Sequence, residues 1–234
     1  MLSIVIPTKN EEEYLPILLQ SIRQQTLQPK EIIVADAWSS DRTRAIAESF
    51  GARVVDGGMP GPGRNRGAAA ATGEYLLFLD ADVNLSSTDF LQSCLGEFIE
   101  RGLDFATCDV LPLSDKLVDR VFHDFYNIYT RALAQIHPHA PGFCIFTRRD
   151  KHQEINGFDE TVVFCEDHDY VLRGQRVGTF GILRAAKVPV SVRRLDRDGR
   201  LEIAVKYAFA EAHFMTLGPV RSNIFNYTFG YKKK

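Results

Sequence analysis

Two aspartates, Asp80 and Asp82, directly follow the apolar run Tyr75–Leu79. Such a run predicts a buried strand, so the two acids stand where the strand gives way to a loop. Carboxylates this close repel each other unless a cation or hydrogen-bond donors lie between them. Mg²⁺ or Mn²⁺ suits the pair, because these ions accept one or two carboxylates and leave other positions to water and phosphate oxygens. The pair predicts a divalent-metal site for a phosphate-bearing ligand; acids that only cap a helix are the alternative.

A second group of acids, Glu166, Asp167 and Asp169, stands at the start of a predicted helix. Neighbouring carboxylates raise one another's pKa, which suits a general base, but acids at a helix start also simply complement the helix dipole. His168, within the group, fits either a binding site or a helix surface. These residues alone leave both interpretations open.

Two adjacent arginines, Arg193 and Arg194, begin a strongly charged segment. Each guanidinium can bind two phosphate oxygens, so the pair predicts a flexible loop that closes over a diphosphate, with a solvated loop as the alternative. Upstream, His137 and His139 alternate as metal ligands do, but the neighbouring Pro138 favours a loop pair without a ligand.

Short apolar runs alternate with amphipathic stretches along the amino-terminal half. Their order, β-α-β-α-β-α-β, predicts an α/β fold with a mostly parallel sheet covered by helices on both faces. The first helix is expected behind a capping box formed by Asn10 and Glu13. Ligands bind at the carboxyl ends of parallel strands, and polar residues follow three of them at 8–11, 36 and 80–82. These positions are predicted to converge on one crevice.

Three glycines, Gly61, Gly63 and Gly67, resemble the phosphate turn of dinucleotide-binding proteins. Their spacing departs from that motif, and they lie some residues beyond the preceding strand instead of directly after it. An NAD(P)-dependent oxidoreductase that uses the Gly61–Gly67 loop is therefore the runner-up, and a plain flexible loop before a helix is preferred to it. Arg64, at the expected helix start, is well placed to contact an anionic ligand.

Composition points to a soluble globular protein, since 45% of the 234 residues are hydrophobic and 25% are charged. A net charge of −2 argues against a nucleic-acid partner. The cysteines are widely spaced and form no C-x-x-C pair, which predicts reduced core thiols and a cytoplasmic location. No signal segment is apparent at the amino terminus.

The final segment, 201–234, is apolar on more than one helical stripe and finishes in aromatic residues and Lys232–Lys234. It is too interrupted by charges for a membrane span. It is expected to pack on its own domain or on a second subunit in a homodimer, in preference to lying peripherally on the cytoplasmic face of a membrane.

Several short motifs occur in a fixed order over roughly the first 195 residues, and together they resemble family 2 glycosyltransferases with the GT-A fold. One departure stands out: the family's Asp-Asp-Gly-Ser after the second strand is here Asp36-Ala37-Trp38-Ser39, which leaves the contact of the second acid in doubt. The motifs are Leu2–Glu11, Ile32–Asp36, Ser39–Thr43, Arg64–Gly67, Gly73–Asp82, Asn156–Glu160 and Glu166–Tyr170.

The resemblance implies one GT-A domain over residues 1–200, with a nucleotide-binding half (1–105), an acceptor half (106–200) and a carboxyl-terminal tail (201–234). It implies inverting transfer from a UDP- or GDP-linked sugar to a glycan, lipid or small-molecule acceptor, with Asp167 as the general base and Glu166 beside it. Asp82 would bind the metal and Asp80 would be shared between metal and ribose, with His213 as a weaker metal candidate. The residues that would bind the nucleotide sugar are Pro7, Thr8, Asn10, Glu11, Asp36, Arg64, Asp80, Gly142, Arg193 and Arg194.

Two further enzyme or binding classes share this phosphate and metal chemistry. A nucleotidyltransferase would release pyrophosphate, and a non-catalytic sugar-nucleotide-binding module would bind the donor without turnover. Both remain alternatives at the level of the sequence.

Overall fold

Strands and helices alternate along residues 1–225, the part of the chain that a computed structural model describes. The strands are β1 (Leu2–Thr8), β2 (Glu31–Asp36), β3 (Arg53–Asp56), β4 (Tyr75–Leu79), β5 (Phe105–Leu113), β6 (Cys144–Arg148) and β7 (Phe180–Ser191). The helices are α1 (Leu15–Arg23), α2 (Thr43–Ser49), α3 (Pro60–Ala70), α4 (Phe90–Glu100), α5 (Leu117–Leu133), α6 (Arg149–Glu154), α7 (Glu166–Gly174), α8 (Arg193–Asp198) and α9 (Arg200–Leu217).

The strands form one seven-stranded sheet in the order β3-β2-β1-β4-β6-β5-β7. All of its pairs are parallel except those of β6, which runs antiparallel to β4 and β5. Every residue of β1 is buried, as expected for a strand covered on both faces. The predicted α/β fold with a mostly parallel sheet is confirmed. The four cysteines are free and buried, as predicted.

The strand register brings the predicted polar positions to one edge of the sheet. Thr8 lies opposite Asp36, and Val5 of β1 lies opposite Phe78 of β4. The carboxyl ends of β1, β2 and β4 are therefore neighbours, at the edge of the sheet where the crevice is expected.

Helix α3 corrects the prediction of a glycine loop. It begins at Pro60, so Gly61, Gly63 and Gly67 all lie inside the helix. A Cβ on Gly67 would stand 2.3 Å from Val5 Cγ1, which shows how closely the helix packs against β1. The glycines thus permit close helix–strand packing. Neither the flexible loop nor the phosphate turn that an oxidoreductase would need is formed.

The predicted capping box at the start of α1 is also wrong. The helix begins at Leu15, after an N-cap residue, Tyr14, that makes no side-chain cap bond. Asn10 has a left-handed backbone with φ of +56°. Its side-chain oxygen accepts a hydrogen bond from the Ser40 N–H at 2.9 Å, which ties the loop after β1 to the loop after β2.

Helix α9 packs one side on its own domain, in line with the preferred expectation for the tail. The ring of Tyr207 stacks on Phe164 at 5.5 Å, and Arg200 is paired with Asp119 of α5. Among residues 1–225, no helix combines the length and the apolar character needed to cross a bilayer. The expectations for Lys232–Lys234 and the preceding aromatic residues lie outside the described residues, and the homodimer stays a prediction.

Candidate active site

Two acids of the crevice share one arginine. Arg193 donates through Nε to Asp82 Oδ2 at 2.9 Å, and through Nη1 and Nη2 to the two Glu11 oxygens at 2.8 and 2.7 Å. Its guanidinium also lies 4.3 Å from the centre of the Tyr14 ring. Burial raises the pKa of Glu11 to about 7, although Arg193 opposes the shift. Burial likewise raises the pKa of Asp82. These carboxylates therefore hold a cation in a partly dry site.

The end of β7 explains how Arg193 reaches Asp82. The Ser191 N–H donates to the Asp82 carbonyl at 3.2 Å, and Val190 forms an isolated bridge with Val83. The chain after β4 therefore runs beside the last residues of β7, and helix α8 begins at the residue that contacts the acids, Arg193. The structure places Arg193 in a short helix, where the sequence predicted a loop.

A second arginine, Arg64, joins the other acids of the crevice. It is buried, and it pairs with Asp80 at 2.9 Å and with Glu166 at 2.6 Å. Its guanidinium lies 5.4 Å from the centre of the Phe158 ring. A buried cation needs such partners, because an unpaired charge would be costly to desolvate. Arg64 thus ties the end of β4 to the first turn of α7.

Asp167 is oriented by two backbone donors. Its Oδ2 accepts from the Gly142 N–H at 2.7 Å, and its Oδ1 accepts from the His168 N–H at 2.9 Å. Burial raises the pKa of Asp167, while the charge of Arg64 opposes that shift. Each oxygen keeps a further lone pair, so the carboxylate can still accept a proton. Asp167 therefore has the fixed geometry and the basicity that suit a general base.

The acid that ends β2 forms its hydrogen bonds with groups of the protein itself. Asp36 is fully buried, and it accepts hydrogen bonds from the Thr8 hydroxyl at 3.0 Å and from the Ser39 N–H at 2.9 Å. Pro7 is buried on the same strand end, beside Gly63 of α3. Trp38, which occupies the glycine position of the family motif, has φ of +53° and is largely exposed. Asp36 and Thr8 thus hold the ends of β1 and β2 together.

Some predicted residues lie elsewhere. Arg194 contacts the Tyr207 hydroxyl of α9 at 3.4 Å. Asp169 is paired with Arg173 one turn along α7 at 2.7 Å, and His213 Nδ1 donates to the Gly218 carbonyl oxygen at 3.0 Å. Asp169 and His213 are therefore engaged outside the crevice.

Sequence reasoning also missed the role of Asn65. Its side-chain amide donates to the Phe158 carbonyl at 2.9 Å and accepts from the Phe158 N–H at 2.8 Å, so it clamps that segment to α3. The available signal was the position of Asn65 within the Arg64–Gly67 motif, beside the candidate site residue Arg64. The pairing itself joins residues too far apart in the chain for any local pattern to indicate it.

The chain is similar to one known family and to several known proteins. The family model described as Glycosyl transferase family 2 matches residues 3–155. The chain is 35% identical over 106 residues to the 4,4'-diaponeurosporenoate glycosyltransferase of Staphylococcus haemolyticus, a match that covers 42% of this chain and 28% of that protein. It is 41% identical over 100 residues to a PGL/p-HBAD biosynthesis glycosyltransferase of Mycobacterium tuberculosis, a match that covers 39% of each chain. The matches thus span well under half the length of these relatives.

Solved structures share the GT-A fold with this chain. The mannosyltransferase PcManGT from Pyrobaculum calidifontis, in complex with GDP-Man and Mn²⁺, has a TM-score of 0.72 at 20% identity, covering 90% of this chain and 63% of that one. The Staphylococcus aureus protein TarS (1–349), in complex with UDP-GlcNAc, has a TM-score of 0.66 at 21% identity, covering 82% of this chain and 58% of that one. At these identities the likeness establishes the fold.

Proposed function

Since the chain belongs to glycosyl transferase family 2, we propose that it transfers a sugar from a nucleotide-diphosphate sugar to an acceptor hydroxyl. The reaction is metal dependent and inverting, and Asp167 is its general base. The donor carries UDP or GDP, as in the complexes of the related structures. The acceptor is a glycan, a lipid or a small molecule.

The observation that carries this proposal is the pairing of acids and arginines at the carboxyl ends of the strands. Arg64 joins Asp80 to Glu166, and Arg193 joins Glu11 to Asp82. Acids on this edge suit a metal, and arginines suit the two phosphates of a nucleotide sugar. The base, Asp167, follows Glu166 directly in the chain. Arg64 would therefore lie between Asp80 on the donor side and the Glu166–Asp167 pair on the acceptor side.

The donor atoms of the crevice fit a hard divalent cation. Carboxylate oxygens of Glu11 and Asp82 already converge on one positive group, the Arg193 guanidinium. Mg²⁺ and Mn²⁺ prefer such oxygens, so Asp82, supported by Asp80, would hold the ion after Arg193 withdraws. When bound, the ion neutralises charge that develops on the leaving diphosphate. Arg193 would then be released to contact phosphate oxygens, with Arg194 next to it.

The chain's own groups account for the acceptor half of the reaction. Asp167 takes the proton of the acceptor hydroxyl on a carboxylate oxygen, while the N–H groups of Gly142 and His168 fix its orientation. Glu166 pairs with Arg64, and this pairing keeps the Arg64 guanidinium next to Asp80. Arg64 Nε is buried and has no hydrogen-bond partner among residues 1–225, so a donor remains for an anionic ligand.

The remaining assignments follow the same proposal. Pro7, Thr8, Asn10 and Asp36 line the nucleoside side of the crevice in the half formed by residues 1–105. Residues 106–200 supply the acceptor side, and helix α9 packs against it. Peripheral membrane contact through 201–234 would suit a lipid acceptor at the cytoplasmic face.

Replacing Gly142 by alanine is expected to lower kcat about 100-fold. The new Cβ would lie 2.4 Å from Arg64 Nη2 and 3.2 Å from Asp167 Oδ2, so it would displace the base. Arg64 cannot yield readily, because carboxylates hold both of its terminal nitrogens. Steady-state kinetics at saturating donor would measure the loss.

A matched control for this change is Gly96→Ala in α4. A Cβ on Gly96 meets no atom within 4 Å, so activity should be kept and stability should rise by up to about 1 kcal/mol. An unaltered kcat in Gly142→Ala would contradict the positioning role of this glycine.

Thermal shift with UDP, GDP and their sugars, each with and without Mn²⁺, tests the proposed function. One nucleotide series should raise Tm, and it should do so only when the metal is present. The rise should be measurable, because a ligand at 100 times its Kd stabilises a protein by about 2.7 kcal/mol. Product analysis with the best donor should then give free nucleoside diphosphate and a glycosylated acceptor.

The other outcomes separate the competing functions. Release of pyrophosphate would indicate a nucleotidyltransferase, and donor binding without turnover on any acceptor would indicate a binding module. A Tm shift with NAD(P)H and none with nucleotide sugars would overturn the proposal in favour of an oxidoreductase.

A further inference from the structure

A cluster of metal-binding side chains lies outside the crevice. His137 and His139 come from the segment between α5 and β6, and Glu211 comes from α9. One ligand atom of each residue lies within 4.8 Å of those of the other two. The sequence favoured a plain loop pair for the histidines because of the neighbouring Pro138, and Glu211 lies too far along the chain to appear in the same local pattern.

Hydrogen bonding in this cluster, named here the His–Glu cluster, leaves a position for a cation. His139 Nδ1 lies 2.7 Å from the His137 carbonyl oxygen. A carbonyl oxygen can only accept, so this nitrogen carries the hydrogen and the neutral ring turns the lone pair of Nε2 outward. That Nε2 lies 2.9 Å from Glu211 Oε2, which is also an acceptor. Two acceptors at this distance require a proton or a metal ion between them.

The same bond matches how proteins orient a metal-binding histidine. Such residues donate their second ring N–H to a backbone carbonyl or a carboxylate, which fixes the ring and its tautomer. Glu211 is oriented as well, since the Tyr129 hydroxyl donates to its Oε1 at 3.0 Å. His137 Nε2 approaches that same oxygen at 3.4 Å. His139 and Glu211 are therefore both held in place by groups outside the cluster or by the backbone.

We propose that the His–Glu cluster binds one zinc ion through His137 Nε2, His139 Nε2 and the Glu211 carboxylate. Two imidazoles and one carboxylate form a known three-residue zinc set that leaves a fourth position open. Imidazole nitrogen favours zinc over Mg²⁺ and Mn²⁺, which prefer oxygen, so this site differs from the crevice in the metal it selects. His139 is buried, whereas Glu211 and His137 keep about a fifth of their side-chain surface exposed, which gives the ion access.

The position of the His–Glu cluster gives the zinc ion a structural role. It would fasten α9 to the segment that leads to Gly142. The ring of His139 also lies 4.5 Å from that of His168, the residue whose N–H orients Asp167. A metal here would therefore fix the tail helix beside the predicted base without taking part in glycosyl transfer.

Zinc titration of the metal-free full chain tests the proposal. The protein is freed of metal by a chelator, checked by circular dichroism and titrated with Zn²⁺ by calorimetry, with Co²⁺ absorption as a probe of the coordination geometry. Asp82→Asn should keep the high-affinity zinc site of the wild type, because the crevice is a separate site. Glu211→Gln and His137→Gln should each weaken zinc binding by at least about 100-fold.

The matched control is His213→Gln, which removes an imidazole from the same helix and should leave zinc affinity unchanged. If folded wild type takes up no zinc, the cluster is a hydrogen-bonded strut and the proposal is wrong. Wild-type zinc affinity in a folded ligand variant would also overturn it. Should Glu211→Gln fail to fold, His137→Gln decides the question, since His137 is the least buried histidine of the pair.

Discussion

Replacing Asp167 by asparagine is expected to lower kcat by about 10²–10⁴-fold, the usual contribution of a general base. The donor should bind nearly as before, because Asp167 contacts Gly142 and His168 and has no direct bond to Arg64 or Asp80 among its side-chain hydrogen bonds. Single-turnover rates and donor Kd, measured on the same preparation, would separate the two quantities.

The pH profile gives a second test of the same residue. Burial raises the pKa of Asp167, and a base must be deprotonated to act. In the wild type, kcat should therefore fall as pH drops through this raised pKa and stay constant above it. The asparagine variant should lose that acidic limb along with most of its rate.

Asp169→Asn is the matched control, since it makes the same change two residues along the same helix. Its carboxylate is engaged by Arg173, so the variant should keep kcat once it is assayed below its own Tm. Full activity in Asp167→Asn would place the base elsewhere, with Glu166 as the next candidate. A loss shared equally by both variants would indicate damage to α7 instead of to the chemistry.

The ends of the strands were predictable because a single local pattern in the sequence marks where each strand stops. An apolar run such as Tyr75–Leu79 must be buried, and parallel pairing then brings the polar residues after β1, β2 and β4 to one edge. The two acids at 80 and 82 could thus be assigned to the crevice without coordinates. The order of apolar and polar residues along the chain was sufficient for this assignment.

The partners of these acids could not be predicted in the same way. Arg193 meets Asp82 only because the end of β7 runs beside the loop after β4, a pairing set by the whole sheet. The His–Glu cluster depends likewise on where α9 packs. Helix α3 shows tertiary packing overriding propensity: glycines disfavour a helix, yet Gly67 allows α3 to lie directly on Val5.

Asp82→Asn is expected to lower kcat/KM by about 10³-fold, corresponding to several kcal/mol of lost transition-state stabilisation. It should also abolish the dependence of nucleotide binding on Mn²⁺. The neutral amide is a poor ligand for the ion. The substitution also removes one of the two carboxylates that pair with Arg193. Steady-state kinetics would measure the first effect, and donor affinity across a Mn²⁺ titration would measure the second.

Arg193→Met tests whether the Arg193 guanidinium and the metal ion compete for the same carboxylate oxygens. In the structure Arg193 occupies the oxygens that the ion would use, so its removal should tighten Mn²⁺ binding in the absence of nucleotide. The same variant should bind the donor more weakly, because a phosphate contact is lost. Asp82→Asn and Arg193→Met would then shift metal affinity in opposite directions while both slow transfer. If instead Arg193→Met left metal affinity unchanged, the guanidinium would not compete for the site, and the ion would have to bind at Asp80 without displacing it.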